Sequence, residues 1–146
     1  MHKLFEKEEQ IIKLAEGFRN KTLTKEQWTH EAHLAVGIWF MKNFDRFEAT
    51  CLLRSGIIEL NVSLDGKNTE TSGYHETITL LWIWMLDKYL KAHEGKSLVD
   101  LVNGFLETEY SERNVLLKYY SEDVLFSTKA RAIWVEPDRR LLTTPF

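Results

Sequence analysis

Apolar side chains recur at every third or fourth position along most of this chain. From about Lys3 to Arg19 they fall at Leu4, Ile11, Ile12, Leu14, Ala15 and Phe18, the spacing that collects one face of a helix. Thr24, with Gln27 three residues on, has the form of a capping box and predicts a second helix running to about Asn43. Asp45 with Glu48 repeats the signal for a third helix reaching Leu64, after which Asp65-Gly66 opens the loop GKNTETSG. A fourth helix is expected from Tyr74 to His93, closed by Glu94-Gly95. Ser97 caps a fifth, Leu98 to about Glu107, and Ser111 a sixth, Glu112 to Tyr120. Ser121 and Ser127 each start a short helical turn. The segment VEPDRRLLTTPF from Val135 reads as extended chain laid on the surface.

No segment alternates with the period of a strand, and the two prolines, Pro137 and Pro145, leave the first 136 residues free of helix breakers. The expected fold is all-α: one domain over residues 1–146, an irregular bundle of five or six helices with a short extended C-terminal tail.

Composition narrows the partners. With 44% hydrophobic and 28% charged residues the chain has the make-up of a globular protein. Net charge is −3 and the Lys and Arg residues are scattered, which argues against a nucleic-acid partner, since phosphate backbones require a concentrated basic stripe. The longest apolar run, Leu80 to Leu86, is too short to span a membrane. The N-terminal MHKLFEKEEQ lacks the apolar region of a signal peptide. Single Cys51 permits no internal disulfide and reads as an inert core residue rather than a nucleophile. These features together imply a cytoplasmic protein.

Helical wheels point to where chemistry would sit. On the second helix Glu31 and Lys42 mark the solvent side; His30 and His33, at i and i+3, share the opposite face with Gly37 and Phe40. On the fourth, Asp87, Lys88 and Lys91 face solvent, and His75 falls on the inner flank with Glu76 beside it and Thr79 one turn away. On the third, Arg54 and Asn61 line up along the apolar stripe, where polar groups need partners.

His30, His33 and His75 could therefore bind a divalent transition metal such as zinc, and Glu76 and His75 could supply the general base of a metal-assisted hydrolase. Arg54, Asn61 and Thr79 would orient a polar or acidic small molecule. The spacing HxxH is less specific than HExxH. The same residues equally suit a metal-free ligand pocket, or histidines that only satisfy hydrogen bonds in the core. The polar loop Gly66–Gly73 before a helix start is a weaker candidate for an anion. Leu80 and Trp84 lie on the side assigned to solvent, so the fourth helix is either covered on both sides or forms the interface of a homo-oligomer.

Three strings, WTHEAHL (Trp28–Leu34), GYHET (Gly73–Thr77) and YYSEDVLFSTKARAIWVEPD (Tyr119–Asp138), together resemble those of an uncharacterised family of small bacterial proteins. The resemblance implies no activity or cofactor. It does bring Arg131, Trp134, Glu136 and Asp138 forward beside the two histidine strings as candidates for one shared site.

Overall fold

A computed structural model describes residues 3–143, 145 and 146; His2, which the sequence assigns to the surface, lies outside them. The fold is all-α, with no strand among the described residues. Five longer helices come first: α1 (Glu8–Asn20), α2 (His30–Asn43), α3 (Arg46–Ser63), α4 (Glu76–Ala92) and α5 (Leu98–Leu106). Two 3-10 segments, Glu109–Ser111 and Arg113–Lys118, lead to the short α6 (Glu122–Leu125) and α7 (Thr128–Ala132).

Side-chain caps set most of the starts. Asp45 accepts from the Glu48 amide, Ser97 from Asp100, Ser121 from Val124 and Ser127 from Ala130, satisfying amides that have no helical partner. Three boundaries differ from expectation. The Thr24–Gln27 box forms, with bonds of 2.9 and 3.2 Å, but it closes a turn; α2 begins at His30 because Thr29 caps Ala32. α1 starts at Glu8 rather than Lys3, because the chain before it is drawn away to α5: the Phe5 amide and carbonyl both bond the buried side chain of Asn103, at 3.1 and 2.7 Å. Ser111 caps nothing. Its hydroxyl donates to the Leu106 and Thr108 carbonyls, and the segment beyond winds as a 3-10 helix.

α2 packs on α1, α3, α4 and α5, and α4 also meets α7. The core has two lobes. Phe18, Val36, Phe40, Leu53 and Leu60 fill one between α1, α2 and α3. Leu34, Ile38, Met85, Phe105 and Tyr120 belong to the other, between α2, α4, α5 and the C-terminal segments.

α4 is enclosed on both sides. Asp87, expected in solvent, is 7% exposed and paired with Arg46 at 3.2 Å and Lys91 at 2.9 Å. Trp84 meets Tyr119 edge to face, and Trp134 and Leu142 of the C-terminal segment line a small hollow with Leu80 and Trp84. The tail thus lies against the face that was the candidate interface and leaves Leu80 and Trp84 half-buried. Cys51, expected in the core, is exposed on α3. No helix of the described residues is long and apolar enough to cross a membrane.

Candidate functional site

Between α2, α3, α4 and the 3-10 segment at Arg113 lies a cavity of about 600 Å³, a size suited to a small organic ligand. Leu34, Leu53, Ile57, Ile78, Ile83 and Leu86 make much of its wall. Aromatic surface comes from Trp28, Trp82 and Phe126, the last 58% exposed. All three candidate histidines line it, with Tyr74, Thr79 and Arg113. Gly37 lines it too; a Cβ there would stand 2.8 Å from Leu86 Cδ1, so the missing side chain serves a close helix approach as well as the space.

The imidazoles meet the cavity but do not meet each other as a metal centre. Among the described residues no group of three or more His, Cys, Asp or Glu side chains is arranged to hold a metal ion. Hydrogen bonding explains why. His75 is the N-cap of α4: its Nδ1 accepts from the Ile78 amide at 3.1 Å and its Nε2–H donates to the Leu125 carbonyl at 2.6 Å. Both nitrogens are occupied, and no lone pair remains for a metal or a substrate proton. Burial pushes the His75 pKa down, with the Arg131 charge adding, so the ring is a neutral structural joint.

Glu76 is likewise spent. Its carboxylate receives Arg54 Nε at 3.1 and 3.0 Å, a contact from Arg54 Nη2, and the Tyr74 hydroxyl at 2.7 Å. Burial works to raise its pKa, but these donors and the Arg54 charge outweigh it and hold the group below the usual carboxylate range. Tyr74, desolvated and facing that carboxylate, is pushed up to about 12. A carboxylate clamped this way is a poor general base, and the arginine's charge is largely spent on it.

Asn61 donates to Asn68 Oδ1 at 3.0 Å and braces the loop, away from the cavity. The loop is itself closed internally. Thr69 and Ser72 bond each other, and Asn68 accepts from the Tyr74 amide at 2.9 Å. Gly73 sits at φ +80°, and an added Cβ would strike the Lys67 carbonyl, so the position suits only glycine.

Of the C-terminal candidates none lines the cavity. Arg131 donates to the Gly73 and Tyr74 carbonyls at 2.9 and 3.2 Å, Trp134 Nε1–H donates to Glu136 at 2.9 Å, and Asp138 accepts from the Ser121 amide at 2.8 Å. Thr77, fully buried, donates to the Ile133 carbonyl and accepts from the Val135 amide. The strings GYHET and YYSEDVLFSTKARAIWVEPD are therefore partners, and what they share is a clamp behind the cavity wall.

His30 and His33 differ from His75. The His30 Nε2–H donates to the Ser111 carbonyl and the His33 Nδ1–H to the Thr29 carbonyl, each at 2.6 Å. A carbonyl can only accept, so the tautomers are set and each neutral ring keeps one acceptor nitrogen. Neither His30 Nδ1 nor His33 Nε2 has a hydrogen-bond partner among the described residues. The His33 ring stacks on Trp28 at 3.7 Å between centroids and keeps an exposed edge. Although the residue as a whole is exposed, protein packed around the ring pushes its pKa down to about 4, with repulsion from His30 and Arg113 adding to the shift. His30 stands edge-on to Trp82 at 5.5 Å.

Arg113 falls within the helix expected from Glu112 to Tyr120 without being singled out; that segment is a 3-10 helix, which turns its side chains differently from an α-helical wheel. No family model matches the chain, and no curated protein or solved structure matches it either.

Proposed function

We propose that this chain binds a small, largely apolar organic molecule in the cavity between α2, α3 and α4, without a metal. The observation that carries the reading is the combination of about 600 Å³ of mainly apolar space with two imidazole acceptors, His30 Nδ1 and His33 Nε2, left unused at its wall. Apolar walls supply affinity through desolvation, and a few polar groups supply orientation. The ligand that fits carries an N–H or O–H donor for these nitrogens. With His75 and Glu76 fully engaged, the reading is of a binding protein rather than a hydrolase.

The test uses N-phenyl-1-naphthylamine, an uncharged apolar fluorophore with one N–H. Excited through Trp28 and Trp82, which line the cavity, the bound dye should emit by energy transfer with saturable binding near one per chain. Thr79→Trp, which places bulk at the wall, should weaken binding at least tenfold while the helical circular dichroism is kept; Leu116→Trp, at a wall position on another element, should do the same. Dye that does not bind, or that binds both variants as it binds the parent, refutes the reading.

A further inference from the structure

We infer that the ligand of this cavity carries an anionic group, and that Arg113 at the mouth recognises it. The inference rests on the reading of the cavity as a ligand site and specifies the chemical class: a small acid with an apolar, ring-sized body.

The lining holds one formal cation, Arg113, and no Asp or Glu. A cavity edge with charge of one sign and low-dielectric walls concentrates its field on whatever enters. Of the other arginines, Arg19 lies over the Trp39 ring and Arg140 makes no ion pair or hydrogen bond among the described residues, but neither lines the cavity, and the remaining four are committed. Arg46 pairs with Asp87 and Arg54 with Glu76, while Arg131 donates to the Gly73 and Tyr74 carbonyls and Arg139 to the Leu117 carbonyl. Arg113 is exposed, and among the described residues its guanidinium makes neither an ion pair nor a hydrogen bond. A planar fork of five donors with no partner suits a carboxylate or a sulfonate.

Neighbouring charges give the approach a direction. On its other side Arg113 borders a second hollow with His30, Glu31 and Glu112. Neither carboxylate pairs with Arg113, and both repel an anion arriving from that side. The lining of the apolar cavity carries no carboxylate of its own. Arg54, which the sequence favoured for an acidic ligand, is neutralised by Glu76 and absent from the lining.

The experiment compares two dyes that differ by one group. 8-Anilinonaphthalene-1-sulfonate is N-phenyl-1-naphthylamine with an added sulfonate, so their affinity ratio isolates the anion. The parent should bind the sulfonate about fivefold more tightly, the size of one solvent-accessible charged contact, and raised salt should erase the difference. Arg113→Gln should bring the ratio to one with the uncharged dye unaffected, and Arg113→Lys should keep part of the preference. Equal binding of the two dyes by the parent, or a preference that survives in Arg113→Gln, overturns the anion inference while leaving the cavity reading intact. If the uncharged dye does not bind, or binds both Thr79→Trp and Leu116→Trp as it binds the parent, the cavity reading fails and the inference with it.

Discussion

Replacing His75 separates a structural joint from a metal ligand or catalytic base. In His75→Ala the Ile78 amide loses its cap, worth about 1 kcal/mol, and the Leu125 carbonyl loses a buried donor, worth about 1–3 kcal/mol. Both bonds are present in the parent, at 3.1 and 2.6 Å, and the side chain is only 7% exposed, so water replaces little of what is removed. The expected loss is about 3 kcal/mol. For a domain of this length that lowers Tm by about 6–12 °C. His75→Asn keeps a good N-cap and loses mainly the Leu125 bond, so it should fall between the parent and His75→Ala. Urea unfolding followed by circular dichroism at pH 7 ranks the three, with zinc and with EDTA as parallel conditions. A joint gives the same ranking in both, and the parent's midpoint does not respond to chelator. A Tm for His75→Ala within about 2 °C of the parent would refute the cap reasoning. A zinc-dependent rise in the parent that vanishes in the variant would reinstate the metal centre.

Three further outcomes follow from the same geometry. Glu76→Gln should cost about 1–2 kcal/mol in urea unfolding, the lower part of the charged hydrogen-bond range because Arg54 is partly solvated. Arg54→Met combined with it should cost less than the sum of the single changes, and strict additivity would show that the pair is not coupled. The folded pKa of His33, about 4, lies below its unfolded value of about 6.5. The unfolded chain therefore binds more protons between those values, so stability should fall as pH drops through about 6.5 toward 4. His33→Gln should flatten that slope, leaving the part due to His75, which shifts in the same direction; a slope identical to the parent's would sink the assignment. Gly56→Ala should cost about 1–3 kcal/mol, because the new Cβ would collide with the Phe18 ring in the α1–α3 core, and an unchanged urea midpoint would contradict that packing.

What could be read in advance was local. Asp45, Ser97, Ser121 and Ser127 cap the helices that their spacing announces, because a cap depends only on residues three apart. Thr24 and Gln27 met the same rule and formed the same bonds, yet Thr29 five residues later holds the helix start. Two competing caps in tandem are not ranked by their own chemistry. The failures were tertiary. A wheel sends Asp87 to solvent because nothing on α4 alone reveals Arg46 beyond it. His75 and Glu76 looked available for catalysis because their partners, Leu125 and Arg54, come from elements 50 and 22 residues away. Arg113 went unnoticed for the converse reason: its interest lies in having no partner, which only the folded chain discloses.

That contrast is the strongest argument for where function resides. Among the described residues no buried side-chain nitrogen or oxygen lacks a hydrogen-bond partner, so the interior's polar chemistry is closed and stabilising, as expected of a well-satisfied core. His75, Glu76, Arg54, Asn61 and Arg131 belong to that closed set, and their loss should be read in stability. His30 Nδ1, His33 Nε2 and the Arg113 guanidinium do not belong to it. These three unspent groups all border one apolar cavity, although His30 and His33 come from α2 and Arg113 from a 3-10 segment about eighty residues along the chain. His33 and Arg113 are exposed, so water serves them in the free protein, and a ligand with a donor, an anion and an apolar body would take that water's place. Changes at these three positions should therefore alter binding far more than they alter the urea midpoint.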